Sequence, residues 1–372
     1  MEIPLSSPDI TQAEIEAVTA VLRTRHLSLG PKLGEFEKAF AAYIGRRYAV
    51  AVNSGTSALH LSLLALGIGP GDEVITTPFS FIATTNVILM VGARPVFVDI
   101  DPVTYNLNAD AIAEKITDKT KALIPVEVFG NPAGVDEVYD LAQRHNLLGV
   151  EDSCEALGSE INGRRIGTFG AVSTFAFYPN KQMTTGEGGV ILTDDQKLAQ
   201  LCASLRNQGR DVGAGWLAHA RLGYNYRISD INCVIGMEQL KRLDQMIAKR
   251  SRAAQWYKEL LADEQRLILP AEPVGCKISW FVYVARLQDE FTQAQRDKLL
   301  NLLGAKGIGC SNYFTPIHLQ PFITERLGTK AGDFPLTEKI SQRTVALPFF
   351  NNLTRDQVET VCNTVKSSLN KL

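Results

Sequence analysis

Apolar and polar positions along this chain alternate between two periods. Short apolar runs bounded by Gly, Pro or Asp predict strands at residues 48–52, 73–76, 95–99, 121–127, 147–151, 172–177 and 189–193. Stretches with helical spacing lie between them, at 58–66, 83–91 and 135–145, and an amphipathic helix at 12–23 precedes them all. The strands are nearly continuous in apolar character, so both of their faces must be covered. Strands of that kind in rotation with helices predict an α/β architecture with a mainly parallel sheet and helices on both sides.

The second half reads differently. Residues 208–215 are glycine-rich and lie between two helical regions, which predicts a mobile loop. Helical periodicity then runs from 228 to about 266, with Leu240, Leu243, Ile247 and Trp256 among its apolar positions, before a strand at 279–287 and helices at 293–306 and 355–369. A domain boundary is expected inside the long helical stretch, giving a large domain over 1–245 and a small C-terminal α/β domain over 246–372. With 372 residues, 45% of them hydrophobic, the chain is long enough to build two cores.

Charge and cysteine content narrow the partners. A net charge of -2 gives no basic surface for nucleic acid, so the expected partner is a small molecule. The first residues lack a basic stretch leading into an apolar core, and no later run has the apolar length of a membrane span, so a soluble, cytoplasmic protein without a membrane partner is expected. The six cysteines are scattered, with no metal-binding spacing, and are read as reduced thiols; no metal is expected.

Three features carry chemistry. Asn53-Ser54-Gly55-Thr56-Ser57 follows a strand and opens a helix, where free N–H groups and hydroxyls make a phosphate cradle, although Ser and Thr also serve as ordinary N-caps. Asp152 ends an apolar strand, at the sheet edge that receives ligands in open α/β folds. Lys181 stands in FYPNKQMTTGEGG, a proline- and glycine-bounded loop that neither helix nor strand would choose. A phosphate cradle, a strand-end Asp and a loop Lys in this order suggest pyridoxal phosphate: the lysine forms a Schiff base with the cofactor aldehyde, and the aspartate pairs with the pyridine nitrogen. The same lysine, once freed, can shuttle a proton. No strand-linked GxGxxG and no Walker motif is present.

Several longer stretches, SGTSALHLSLLALGIGPGDEVI, GARPVFVDIDPVTYNL, VEDSCEALGS, FYPNKQMTTGEGG, LGYNYRISD and YFTPIHLQPF, occur in an order that resembles the DegT-type sugar aminotransferases. The resemblance spans nearly the whole chain and is closest to perosamine-synthase-like members. It implies pyridoxal phosphate fold type I, a homodimer with active sites at the subunit interface, and a set of site residues. Lys181 matches the Schiff-base lysine and Asp152 the pyridine partner; Gly55, Thr56 and Ser57 match the phosphate turn. Phe81 matches the aromatic that stacks on the cofactor, against the alternative of a core aromatic. Asn225 matches an asparagine reaching the neighbouring subunit's cofactor phosphate. Arg227 is read equally as an anion contact or a structural ion-pair member. Ala176 stands five positions before Lys181, where many relatives carry a phosphate-binding serine, so one hydroxyl donor is missing.

The resemblance also names substrate candidates. Glu155 replaces a common glutamine and could bind a sugar hydroxyl or handle protons; Tyr313 and His318 fall in the segment that approaches the sugar; Trp216 and His219 are nucleotide-side candidates, with interface packing as the alternative. The expected reaction transfers an amino group from an amino acid, L-glutamate, through the pyridoxamine form of the cofactor to a keto-sugar nucleotide, at C4 of a 4-keto-6-deoxyhexose. The competing readings are a pyridoxamine-dependent sugar dehydratase, which lacks the lysine; a non-catalytic regulator, which would lose the cofactor residues; and a nicotinamide dehydrogenase, which needs the missing glycine motif.

Overall fold

The computed structural model describes residues 2–211 and 213–372; Met1, in the N-terminal segment, and Val212, within the predicted loop at 208–215, lie outside the described residues. The strands in chain order are β1 (Tyr48–Val52), β2 (Glu73–Thr76), β3 (Arg94–Phe97), β4 (Thr120–Ile124), β5 (Leu148–Asp152), β6 (Glu160–Ile161), β7 (Arg164–Arg165), β8 (Val172–Ala176), β9 (Gly189–Thr193), β10 (Leu267–Ile268), β11 (Cys276–Lys277), β12 (Tyr283–Leu287) and β13 (Thr344–Leu347). Among the described residues, seven of them form the main sheet in the order β1-β9-β8-β5-β4-β2-β3. The run from β3 to β8 is parallel, and β9 lies antiparallel to both of its neighbours. That is the mixed, mainly parallel sheet the apolar runs predict.

Parallel pairing aligns the carboxyl ends of β2, β4, β5 and β8 along one edge. Asp152 pairs with Thr174 across the β5–β8 ladder, and Val126, just beyond β4, bridges Asp152 from the other side. Residues that leave these strands therefore emerge side by side.

Two stretches fold otherwise than their periodicity suggests. The helical region from 228 onward is two helices, Asp230–Lys241 and Leu243–Leu261, broken at Arg242. The guanidinium at the break reaches Asp9 at 3.1 Å and Glu14 at 2.9 Å, which ties the N-terminal segment to the joint. The strand expected at 279–287 starts only at Tyr283, because Trp280 adopts a left-handed backbone, φ 54°. Helix Pro31–Ile44, which the sequence reading leaves out, covers one face of the sheet with Leu33, Phe36, Phe40 and Ile44.

Phe40 shows what that face contributes. Its ring is fully buried and meets Phe36, Phe175 and Phe177 edge-on, at 5.9, 5.6 and 5.2 Å between ring centres. Phe175 belongs to β8 and Phe177 to the turn that follows it, so the helix packs directly beneath the segment leading to Lys181. A smaller sheet, β10-β12-β13, sits over the C-terminal core around Tyr257, Tyr283, Leu299 and Val361.

Two buried acids stand at the main sheet, Glu151 within β5 and Glu127 just beyond β4. Burial pushes both the Glu127 and Glu151 carboxyls up. Glu151 is drawn back by N–H groups of Gly167 and Gly170, at 2.5 and 2.6 Å, by that of Phe169, and by Arg46 at 3.8 Å. Among the described residues neither Glu127 oxygen has a hydrogen-bond partner, and Glu151 and Asp152 add negative charge nearby, so Glu127 holds its proton well above the ordinary carboxylate range.

Phe40→Ala is expected to cost about 3–5 kcal/mol of stability, read as a shift of the urea unfolding midpoint. The Glu127 carboxyl has a folded-state pKa above its unfolded one, so its contribution is complete below the unfolded value and is lost as pH rises through the folded one. Within that window wild type loses up to about 1.4 kcal/mol per pH unit from this group. Glu127→Gln removes that loss, so the melting-temperature difference between variant and wild type should move in the variant's favour as pH rises above the ordinary carboxylate range; a difference that stays constant with pH refutes the assignment.

Candidate active site

The strand ends open into a cleft of about 700 Å³. Of the residues singled out from the sequence, Gly55, Thr56, Phe81, Asp152, Glu155, Lys181 and Tyr313 line it together, with Ala176 beside them. Asn225, Arg227, Trp216, His219, His318 and Ser57 do not line it.

Gly55 and Thr56 begin helix Gly55–Ala65, whose first turn faces the cleft. Ser54 caps it: its hydroxyl accepts from the Ser57 N–H at 3.1 Å, and its carbonyl accepts from that of Ala58. The N–H groups of Gly55 and Thr56 find no partner among the described residues, and the helix dipole adds positive potential there. A Cβ on Gly55 would stand 2.7 Å from the Ala176 Cβ, so only glycine lets the helix start press this closely against β8. Ser57 faces inward instead, its hydroxyl donating to Asn53 Oδ1 at 2.7 Å.

Asp152 is only 4% exposed. Its Oδ2 accepts from the Thr84 hydroxyl at 2.5 Å, and Oδ1 from the Cys154 N–H at 3.4 Å. Thr84 is a contributor that the sequence reading passes over; a threonine in the second turn after a strand gives no signal until the chain folds it against β5. Phe81 leaves 63% of its surface exposed at the cleft mouth, a position suited to stacking and not to core packing.

Lys181 turns its side chain inward, with 13% of it exposed. Its Nζ lies 3.6 Å from Glu155 Oε1 and 3.8 Å above the centre of the Phe281 ring. The loop that carries it is tied on all sides. Gln182 donates to the Glu155 carbonyl at 2.5 Å and to the Ser279 hydroxyl at 2.8 Å, Gln239 accepts from the Thr184 N–H at 3.3 Å, and Asn232 donates to the Thr185 carbonyl at 2.6 Å. Glu155 accepts from the Phe129 N–H at 2.9 Å, yet burial outweighs Lys181 and this bond and raises its carboxyl pKa. Tyr313 faces the same acid from the C-terminal part, and burial raises its phenol.

The remaining candidates have other neighbours. His318 is fully buried, its Nε2 3.0 Å from Glu338 and its ring edge-on to Phe334, a packed histidine outside the cleft lining. Arg227 donates to Asn207 Oδ1 at 3.1 Å and pairs with no carboxylate among the described residues, so the ion-pair alternative finds no partner within the chain. Asn225 is exposed and bridges Asn207 through its backbone. Trp216 is 73% exposed beneath the Arg210 guanidinium, 4.4 Å from its ring centre, and His219 Nδ1 lies 2.8 Å from the Gln208 carbonyl.

These residues fit pyridoxal phosphate. Unpaired N–H groups at a helix start suit a phosphate, a buried acceptor-only carboxylate suits a protonated pyridine nitrogen, and a primary amine stands opposite. Asn180, beside the lysine, also lines this cleft, and its buried Oδ1 has no hydrogen-bond partner among the described residues. The group, when bound, supplies an electron sink for a carbanion at the substrate carbon.

Comparison with known proteins agrees with this geometry. Residues 8–366 match the model of the DegT/DnrJ/EryC1/StrS aminotransferase family. The chain is 40% identical over 321 residues to the GDP-perosamine synthase of Caulobacter vibrioides, covering 86% of each chain. It is 37% identical to the spore coat polysaccharide biosynthesis protein SpsC of Bacillus subtilis, over 98% of this chain and 96% of that one. Among solved structures, the PLP form of the putative sugar aminotransferase Spr1654 from Streptococcus pneumoniae superposes with a TM-score of 0.95 at 28% identity, over 100% of this chain and 99% of that one. The chain belongs to the DegT/DnrJ/EryC1/StrS aminotransferase family and is a pyridoxal-phosphate-dependent sugar aminotransferase of fold type I.

Proposed function

We propose that the protein aminates a keto-sugar nucleotide at C4 of a 4-keto-6-deoxyhexose, with L-glutamate as amino donor. The observation that carries this reading is the meeting of Lys181, Asp152 and Glu155 with the open start of helix Gly55–Ala65 on one cleft. Likeness to a protein named GDP-perosamine synthase supports the sugar class and makes a GDP-linked acceptor the first to test.

Each residue has a task in this reading. Gly55 and Thr56 bind the cofactor phosphate through the helix start, Ser57 buttresses that turn, and Phe81 covers the cofactor ring. Asp152, fixed by Thr84, would pair with the ring nitrogen. Lys181 would hold the cofactor and, with its Nζ free, would take up and return the proton at the substrate carbon. Glu155 takes a sugar hydroxyl or relays that proton, since a buried carboxyl with a raised pKa exchanges protons closer to neutrality. Tyr313 bounds the sugar side. His318, packed away from the cleft, acts on the sugar only through the segment that it anchors.

The working unit is a homodimer in the cytoplasm, with each active site completed by the second subunit. Asn225, exposed and outside its own cleft, suits a role across that interface, and exposed Trp216 sits on the same stretch between the two helices. Arg227 and His219 join it there. Within each subunit, residues 1–245 carry the cofactor and 246–372 close over the sugar. Six free cysteines are consistent with a reducing compartment.

Purified protein with added pyridoxal phosphate should show a visible absorbance band that L-glutamate bleaches and that Lys181→Ala lacks. The bleached enzyme should then aminate one member of a panel of GDP-, UDP- and dTDP-linked 4-keto-6-deoxyhexoses, detected by the mass of the product. A wild-type band indifferent to glutamate and to every acceptor removes the reading. Glu155→Gln should lower kcat/KM for the keto-sugar by about 10- to 100-fold, as expected from losing about 1–3 kcal/mol at a buried polar contact, while the glutamate half-reaction changes less.

A further inference from the structure

Arg250 lies on helix Leu243–Leu261 with its side chain buried, 2% exposed. No carboxylate among the described residues forms an ion pair with it, and burial pulls the guanidinium down to about 10, still charged at neutral pH. Its donors go to backbone carbonyls: Nη1 to Trp280 at 3.1 Å and Phe281 at 3.0 Å, and Nη2 to Lys181 at 3.0 Å. A charge in the core, balanced by carbonyl dipoles, by the charge of Asp9 and by the face of the Phe349 ring 5.7 Å away, is a costly way to fill space.

Two of those carbonyls belong to the two ends of one contact. Lys181 Nζ rests 3.8 Å above the Phe281 ring, so a closed path runs from the guanidinium through the Lys181 backbone and side chain, across the ring, and back through the Phe281 carbonyl. A second path closes on the same amine. The Phe281 N–H donates to the Phe129 carbonyl at 3.3 Å, the Phe129 N–H donates to Glu155 Oε2 at 2.9 Å, and Glu155 Oε1 lies 3.6 Å from Nζ.

We propose that Arg250 is a positioning residue for Lys181: by holding the carbonyls of Lys181 and Phe281 on one guanidinium, it sets where the lysine amine rests on the Phe281 ring. This rests on the reading of Lys181 as the cofactor-binding lysine. The left-handed Trp280 is what turns two successive carbonyls toward the guanidinium, and it also delays the start of β12 to Tyr283. The three segments that must agree for the amine to be placed, the lysine loop, the long helix and the 280–281 crossing, therefore meet on one side chain.

The test uses apoprotein mixed with pyridoxal phosphate, following the rate at which the lysine-dependent visible band forms as a function of pH, alongside the melting temperature. The amine reacts when neutral, and the ring face favours its charged form. Phe281→Leu should therefore move the pH midpoint of the rate downward. Arg250→Lys, which cannot bridge the three carbonyls, should do the same and lower the rate at every pH by about tenfold, as misplacement of a reacting group does. The other titratable groups lining the cleft, Asp152, Cys154, Glu155, Tyr178, Glu187 and Tyr313, are unchanged in both variants.

A purely structural Arg250 lowers the melting temperature and leaves midpoint and rate within twofold of wild type, which overturns the proposal. If Arg250→Lys does not fold, Arg250→Gln, which keeps a donor but cannot span the three carbonyls, takes its place: a midpoint and rate within twofold of wild type overturn the proposal, and a lowered rate with a lowered midpoint supports it. A band that survives in Lys181→Ala instead defeats the underlying reading of the lysine.

Discussion

Parallel register between β5 and β8 is the constraint from which the site follows. Asp152 pairs with Thr174, so the chain reaches the sheet edge at Asp152 on one strand and at Ala176 on the next. Everything that leaves β8, including the turn to Lys181, is then delivered beside the carboxylate. A one-residue slip would turn Asp152 to the opposite face and separate the pair.

That register is held from both sides by packing without specific chemistry. Helix Gly55–Ala65 presses on β8 so closely that Gly55 tolerates no side chain, and helix Pro31–Ile44 supports the other face through Phe36 and Phe40 against Phe175 and Phe177. The first helix contributes its open N-terminus to the cleft at no extra cost, because the same contact that fixes the sheet points those N–H groups toward the ligand. The chemistry is thus placed by the most rigid part of the molecule.

The C-terminal part is joined through an apolar cluster, in which Phe281, Val282 and Val284 meet Phe79 and Phe129, and through polar contacts. Arg250 and Ser279, together with Gln182, knit residues 279–281 to the lysine loop by hydrogen bonds between side chains and backbone. Directional bonds of this kind fix an amine's position more finely than apolar contact can, since each constrains angle as well as distance. Glu155 shares in both functions, bonded to the Phe129 N–H at one oxygen and facing Lys181 at the other.

Much of this was legible in the sequence. Apolar runs gave β1, β2 and β9 their exact limits, because a strand buried on both faces writes an uninterrupted signal, and Lys181, Asp152 and Gly55 stood out by residue type at strand ends and turns. Helix Pro31–Ile44 carries a proline at its first turn and Gly45 at its end, but those cues are local, and the helix stands outside the alternation of strands and helices that begins at β1. Only the tertiary structure decided the break at Arg242, the left-handed turn at Trp280, the burial of His318 against Glu338, and the parts played by Thr84, Phe281 and Arg250. Each depends on a partner distant in the chain, and periodicity records which face of an element is buried but not what lies across from it.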